Sequence, residues 1–157
     1  MSPNTENNSL KRRKMDRQKD KLIEEYRHSK EGYNPFLIGL KWQVAQLNYM
    51  PELAPGAIKK IDIHHHTDET FLLMAGQAVL IAAEIQQNRI SFDVINMKPK
   101  VLYNIPKGCW HNIALSLDAE VSITEDANTH LRDYEFHYLN EKEQKELYEL
   151  IQSVWKK

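Results

Sequence analysis

Two short segments of this chain carry side chains of the kinds that bind metal ions in proteins. The first reads Asp-Ile-His-His-His-Thr-Asp-Glu at residues 62–69 and runs into an apolar stretch that ends at Gly76. The second reads Pro-Lys-Gly-Cys-Trp-His at residues 106–111. Histidine nitrogens and carboxylate oxygens are ligands that divalent transition metals take. The sequence therefore offers two halves of one site, which the fold must bring together.

The alternation of residues after the first segment predicts that Glu69 faces a pocket. Glu69, Phe71 and Leu73 share one face if this stretch is a β-strand, so the carboxylate lies at the end of an apolar stripe. An unpaired carboxylate in such a place is costly, and coordination to a cation together with neighbouring histidines offsets the desolvation. A buried hydrogen-bonded network without metal is the alternative.

The second segment predicts a turn that directs a histidine inward. Pro106 presets its own backbone angle, and Gly108 tolerates conformations that other residues avoid, so the chain can reorient just before His111. We therefore predict that His64, Glu69 and His111 form a metal site, with Glu69 also as a candidate catalytic residue.

Other side chains near these segments have further possible roles. His65 is expected to point away from His64 and to be structural or exposed. His130 follows a predicted turn on a different strand and is expected outside the site, with the mouth of the pocket as the alternative. Tyr103 and Trp110 are candidate pocket walls, although any β core uses such aromatic residues.

The middle of the chain is rich in short β-type runs separated by Pro, Gly and Asn. Short strands at close spacing with no intervening helices predict an antiparallel sandwich or barrel, in which closure or double layering protects the sheet edges. The predicted strands are Trp42 to Tyr49, Ala57 to His64, Thr70 to Met74, Ala78 to Ile85, Ser91 to Met97, Val101 to Ile105, His111 to Leu115, Val121 to Glu125 and Asp133 to Tyr138.

The last segment has a different periodicity and predicts one amphipathic helix. Asn140 can cap it, and Glu143 stands three residues later, as in a capping box. We expect this helix to pack on the outside of the β core or against a second subunit. Its apolar residues recur at helical spacing: Leu147, Leu150, Ile151, Val154 and Trp155.

Length and charge limit the possible classes of protein. A chain of 157 residues with a formal net charge of -1 fits one domain and produces no overall field that would attract nucleic acid. The apolar runs are too short to span a bilayer, so no membrane partner is expected. The single cysteine, Cys109, cannot form an internal disulfide, and no signal segment is evident, so a cytoplasmic location is expected.

Three regions are expected along the chain. Residues 1–30 form a basic arm, partly disordered or helical, because residues 10–21 carry seven Lys or Arg against two Asp. An ordinary basic tail is preferred there to a nucleic-acid patch, because no aromatic or Gly-rich binding element accompanies the charge. Residues 31–139 form the β-barrel, and residues 140–157 form the C-terminal helix.

The two segments together resemble the motifs of the cupin superfamily. His64, four residues, Glu69, six residues and Gly76 match the first cupin motif from its second histidine onward, and Pro-x-Gly-x-x-His at residues 106–111 matches the second. The resemblance covers roughly residues 57–126 and implies an all-β, double-stranded β-helix of the jelly-roll type. It implies much less about function, because this fold carries many unrelated activities.

The chain departs from the first motif at one ligand position. Asp62 stands where the family has its first histidine, and side chains at 62 and 64 project from the same face of a strand, so Asp62 is a candidate ligand. The competing register pairs His64 with His66 but leaves too few residues before Glu69. His66 is otherwise a candidate for the second shell or the surface.

Three functional hypotheses follow from the motifs. The first is an enzyme that uses manganese, iron, nickel or zinc on a small sugar, sugar acid or keto or enol acid, as an isomerase, lyase or dioxygenase. The second is a binding or sensor module that holds a small ligand without turnover, and the third is an interaction protein whose pocket is vestigial. The chain also resembles small single-domain cupins with no assigned reaction, and a homodimer is expected because the family often pairs barrels.

Overall fold

The computed structural model describes residues 22–155, which form two antiparallel five-stranded sheets and a C-terminal helix. The first sheet has the strand order β1-β2-β9-β4-β7, and the second has the order β10-β3-β8-β5-β6. The strands are β1 Gly32–Ile38, β2 Trp42–Asn48, β3 Lys60–Ile63, β4 Glu69–Ala75, β5 Ala78–Gln86, β6 Arg89–Asn96, β7 Leu102–Ile105, β8 Trp110–Leu115, β9 Glu120–Asp126 and β10 Glu135–Tyr138. The helices are α1 Thr129–Arg132 and α2 Glu141–Val154, with a 3-10 turn at Pro51–Leu53.

Apolar side chains form two layers of core. One layer lies between the sheets and includes Leu47 and Phe71 of the first sheet with Leu80 and Leu115 of the second. Removing this apolar area from water is what holds the two sheets face to face. The all-β jelly-roll fold predicted from the sequence is confirmed.

The second layer lies between the second sheet and α2. Leu147 and Ile151 of the helix pack with Ile61 of β3, and both helical residues are fully buried. The helix begins with the predicted capping box, in which the side chains of Asn140 and Glu143 each accept a hydrogen bond from the other residue's backbone N–H. The prediction that this helix packs on the outside of the β core is confirmed.

Strand β1 was missing from the predicted strands. It pairs with β2 at the edge of the first sheet, and its register shifts between Pro35 and Leu37. Proline cannot donate to a sheet ladder and is tolerated at edges and bulges, which is where Pro35 lies. The edge position is the physical reason that the strand forms despite Pro35.

Strand pairing brings the two metal-type segments together. Asp62 of β3 is directly opposite His111 of β8, and the backbone N–H of Gly108 donates to the carbonyl of His64 at 2.7 Å. Glu69 begins β4, which belongs to the other sheet. The site therefore lies between the sheets, at one end of the core.

The glycine of the first motif is needed for close packing. Gly76 has a φ of +71°, and a Cβ added there would lie 2.6 Å from the backbone N and Cα atoms of Ala119. Gly108 also has a positive φ, +78°, but no atom would lie within 4 Å of its added Cβ. Gly108 is therefore favoured by its backbone conformation alone. Gly76 is favoured by its backbone conformation and also because a larger side chain would collide with Ala119.

No helix within residues 22–155 combines the length and the apolar character that crossing a membrane requires. The predicted basic arm falls mostly at residues 1–21, which lie outside the described residues.

Candidate functional site

The structure brings the four predicted ligands into one cluster. Glu69 Oε2 lies 2.7 Å from Nε2 of His111 and 3.1 Å from Nε2 of His64, and all three side chains are buried. Asp62 Oδ2 is 3.9 Å from Nε2 of His64 and is partly exposed. His64 and His111 thus meet at one carboxylate oxygen of Glu69, and Asp62 lies beside His64.

Hydrogen bonds to backbone carbonyls fix the orientation of both histidine rings. Nδ1 of His64 is 2.5 Å from the carbonyl oxygen of Asp133, and Nδ1 of His111 is 3.1 Å from that of Cys109. A carbonyl oxygen can only accept, so each Nδ1 carries the proton. In the neutral form of each ring, Nε2 then presents its lone pair to Glu69.

Two lone pairs facing a carboxylate oxygen need a positive charge between them. Protonation of both rings supplies it, and so does a cation bound by the two nitrogens and the carboxylate. The residues fit a metal because metal-binding histidines almost always donate their other ring N–H to a carbonyl or carboxylate, as His64 and His111 do here. Each of two overlapping sets has its candidate ligand atoms within 4.8 Å of one another: Asp62 with His64 and His111, and His64 with Glu69 and Glu125.

The same contacts shift the pKa values of the cluster in the metal-free state. Burial alone would lower the pKa of His64, but the hydrogen bond and charge of Glu69 raise it to about 9. Burial would also lower the pKa of His111, but the hydrogen bond and charge of Glu69 raise it. Burial would raise the pKa of Glu69, but hydrogen bonds from His111 and His64, with their charges, lower it to about 2. In the metal-free state these shifts favour an ionised Glu69 beside a protonated His64, and the pKa of His111 is raised in the same direction.

Glu125 is a buried carboxylate of the site that the sequence interpretation missed. Its Oε2 lies 3.7 Å from Nε2 of His64 and has no hydrogen-bond partner within residues 22–155. Burial and the nearby charge of Glu69 raise the pKa of Glu125. The pKa of Asp62 is also raised, mainly by burial, and the charge of Glu69 acts in the same direction. A signal for Glu125 was present, because Val121, Ile123 and Glu125 share one face of their predicted strand.

Two polar side chains hold Glu125 from behind, and a third, His130, lies beside one of them. The hydroxyl of Tyr33 and Nε2 of Gln43 both donate to Oε1 of Glu125, the latter at 2.8 Å. Nε2 of Gln43 also lies 3.0 Å from Nδ1 of His130. His130 thus reaches the cavity, which was the alternative prediction, and the preferred one was wrong.

The cluster lies in a cavity of about 500 Å³ between the sheets. A volume of this size is within the range of small-molecule sites. Apolar side chains of the core form much of its wall, and aromatic side chains of the β10 region stand at its edge. The lining residues are Tyr33, Leu47, Met50, Glu52, Leu53, Lys60, Asp62, His64, Glu69, Phe71, His111, Asn112, Ile113, Ile123, Glu125, His130, Tyr134 and Phe136.

The two candidate wall residues lie elsewhere in the structure. The hydroxyl of Tyr103 accepts a hydrogen bond from the backbone N–H of Lys98 at 3.0 Å, and the ring packs against the inter-sheet core. Trp110 packs with the core beneath α2, with its ring 5.9 Å from that of His137. Alternation along β8 explains this placement, because Trp110 and His111 point to opposite faces of the sheet.

His65 and His66 point away from the cluster. The side chain of His66 is 83% exposed and its Nδ1 lies 3.0 Å from Oδ1 of Asp133. His65 is exposed as expected and lies 3.2 Å from Glu135. The register that would pair His64 with His66 as ligands therefore has no geometric support.

Comparison with known proteins shows the fold of this chain and nothing finer. No family model matches the sequence, and no curated protein matches it. Similar solved structures include a cupin-2 domain-containing protein from Shewanella frigidimarina NCIMB 400, with 17% identity over 63% of this chain and 84% of that chain and a TM-score of 0.44. Another is a Streptomyces PAC13 variant bound to uridine, with 12% identity over 79% of this chain and 98% of that chain and a TM-score of 0.50.

A third similar structure is hydroquinone 1,2-dioxygenase from Sphingomonas sp. TTNP3 with 4-hydroxybenzoate bound. It shares 10% identity over 63% of this chain and 67% of that chain, with a TM-score of 0.45. At such identities a likeness reports shared architecture only. The two antiparallel five-stranded sheets and the likeness to the PAC13 variant show the jelly-roll fold that the cupin resemblance implied.

Proposed function

We propose that this cupin-fold protein binds a divalent transition metal through His64, Glu69, His111 and Asp62 and acts on a small polar metabolite. One observation carries the proposal: two histidines, each with Nδ1 tied to a backbone carbonyl, direct Nε2 at one buried carboxylate oxygen. This is the outer-shell arrangement of histidine ligands. Manganese, iron, nickel and zinc all suit two imidazoles with carboxylates.

The residues of the chain have separate tasks in this proposal. His64 and His111 bind and orient, because their rings are fixed by carbonyls and cannot turn without losing a hydrogen bond. Glu69 anchors the cluster, and its low pKa suits a ligand that stays ionised; its role in proton transfer stays a prediction. A bound metal supplies polarisation of a ligand carbonyl or activation of bound water.

The cavity supports a small ligand that is polar at one end. Its volume, about 500 Å³, admits a metabolite of sugar or sugar-acid size, and the cluster lies beside apolar wall residues such as Phe71 and Ile113. We propose a sugar, a sugar acid or a keto or enol acid as the ligand, and an isomerase, lyase or dioxygenase as the class of enzyme.

A non-catalytic binding or sensor protein is the second candidate. It is favoured by the contacts of Glu69 with Nε2 of both His64 and His111, which satisfy the cluster without a metal when the rings are protonated. In that state the polar end of the cavity recognises a ligand by charge and hydrogen bonds alone.

Elemental analysis of untagged protein tests the two candidates. The parent should contain one mole of a transition metal per chain, and a His64→Ala/His111→Ala variant should contain none. The matched control is His65→Ala/His66→Ala, which removes two neighbouring histidines that point to solvent and should leave the metal content unchanged. Circular dichroism confirms that each variant is folded.

Two results would contradict the metal proposal. The first is a parent that is isolated without metal and takes up none of manganese, iron, nickel or zinc, which supports the binding protein instead. The second is a double variant of the cluster that keeps the metal content of the parent.

A homodimer, a cytoplasmic location and the three regions 1–30, 31–139 and 140–157 remain proposals. Exposed apolar side chains on the first sheet, among them Met74 and Leu102, together with Val101 just before β7, support an interface between copies of the chain. Light scattering after size-exclusion chromatography measures the oligomeric state.

A further inference from the structure

Glu125 combines deep burial with an unsatisfied oxygen. The residue is 6% exposed, and no described residue between 22 and 155 makes a hydrogen bond to its Oε2. Nε2 of His64, at 3.7 Å, is an electrostatic neighbour beyond hydrogen-bond reach. Leaving a buried carboxylate oxygen without a partner costs stability, so a partner from a bound molecule is expected to stabilise it.

The other oxygen of this carboxylate is held on two sides. Tyr33 and Gln43 both donate to Oε1, and Oε1 of Gln43 accepts in turn from the backbone N–H of Asn128 at 2.7 Å. Gln43 itself is fully buried. These contacts hold the Oε1 side of the carboxylate, and Oε2 lies on the side of the His64–Glu69–His111 cluster, 3.7 Å from Nε2 of His64, in a residue that lines the cavity.

We propose that Oε2 of Glu125 binds a hydroxyl group of the ligand, on the carbon next to the atom that meets the His64–Glu69–His111 cluster. This inference rests on the proposed function and narrows its ligand class to hydroxy acids and hydroxy carbonyl compounds, such as sugars and sugar acids. The distance of 3.7 Å between Glu125 and His64 supports neighbouring positions in one small molecule.

The charges around Glu125 favour a hydroxyl over other polar groups. A carboxylate or phosphate at this position would face Glu125 and Glu69 together and be repelled. An ammonium group would lie beside the cation that the cluster binds. A hydroxyl is neutral, fits between the two and forms the missing hydrogen bond.

The test compares two ligands, glycolate and acetate, on two proteins, the parent and Glu125→Gln. Binding is measured by isothermal titration calorimetry on metal-loaded protein. Glycolate and acetate differ only in the hydroxyl, and Glu125→Gln changes the acceptor with little change in size. Tyr33 and Gln43 both donate to one atom of residue 125, so the glutamine carbonyl takes that place and the amide NH2 faces the cavity. Glu120→Gln, on the exposed start of the same strand, is the matched control.

We expect the parent and the control to bind glycolate more tightly than acetate. In Glu125→Gln this preference should fall about tenfold or more, as expected for a lost hydrogen bond to a charged group. Loss of the charge of Glu125 should change the affinities for both anions alike, so the ratio of the two affinities is the readout, and the metal content should stay that of the parent.

Three outcomes would overturn the inference. One is an equal preference for glycolate in the parent and in Glu125→Gln, and another is no preference in the parent. The third is loss of metal from Glu125→Gln, which would make Glu125 a metal ligand and leave the proposed function standing. If the parent takes up no metal, the proposed function fails on that result alone, and the same comparison on metal-free protein still tests Glu125.

Discussion

The stability of the metal-free protein should fall as the pH rises from 6.5 to 9. The pKa of His64 is raised from its ordinary 6.5 to about 9 in the folded state, so folding binds a proton in this window. The stabilisation is fully present below pH 6.5 and is lost as the pH rises through 9. The pKa of His111 is also raised in the folded state, so its titration acts in the same direction.

The size of the effect follows from the shift at His64. The pKa of His64 rises from 6.5 to about 9 on folding. At 1.36 kcal/mol per pKa unit, this rise corresponds to about 3 kcal/mol of stability. For a domain of this size that is a decrease in melting temperature of roughly 6–12 °C. On the acid side Glu69 contributes stability above pH 4.5 that is lost as the pH falls towards 2, so the metal-free protein should be most stable between these limits.

Thermal unfolding of chelator-treated protein between pH 5 and 9 measures this dependence. A His64→Gln/Glu69→Gln/His111→Gln variant is the control, because it lacks the three groups of the cluster that titrate, and its melting temperature should change little over the same window. Saturation with zinc should also remove the alkaline loss, because the metal takes the place of the protons. Equal melting temperatures of the metal-free parent at pH 6.5 and pH 9 would refute the charge pairing described for the cluster.

Three further predictions concern residues around the site. Gly76→Ala should destabilise the protein far more than Gly108→Ala, which is expected to cost about 1 kcal/mol for its backbone conformation alone, as measured by urea unfolding; equal losses would contradict the close packing at Ala119. Asp133→Ala should weaken zinc binding by about ten- to a hundredfold in a chelator competition assay, because the Asp133 carboxylate accepts from two backbone N–H groups of the loop after His64; an unchanged affinity would show that the loop needs no such anchor. Leu147→Ala should lower the free energy of unfolding in urea by about 2–5 kcal/mol, because this side chain of α2 is buried against the second sheet. A loss under 1 kcal/mol would show that α2 contributes little to the core.

The sequence predicted the parts of the fold that repeat a local pattern. Short β-type runs marked each interior strand, and Asn140 with Glu143 marked the start of α2, because these signals lie within a few residues of one another. Strand β1 lacks such a pattern: most of its residues are half-buried, and Pro35 interrupts it. Its pairing with β2 at the sheet edge decides its conformation, and pairing is a tertiary property.

The same distinction explains which site residues were predicted. His64, Glu69 and His111 belong to two compact motifs, so their types and spacing were visible. Glu125 and Gln43 are single polar residues at the ends of strands, and they meet only because β2 pairs with β9. No local spacing relates them, although alternation along each strand placed both side chains on an inward face.

The two halves of the site should differ in how often they open. Tyr33 lies on β1, an edge strand, whereas His111 and Glu69 lie on strands that are paired on both sides. Fraying at a sheet edge costs less free energy than opening an interior strand. Amide hydrogens of β1 should therefore exchange sooner than those of β4 and β8, and each opening of β1 releases one of the two donors that hold Glu125. In the proposed function, retention of the ion and discrimination among ligands then depend on parts of the sheet with different lifetimes, so a change in β1 is expected to alter which molecule is accepted while the metal content stays the same.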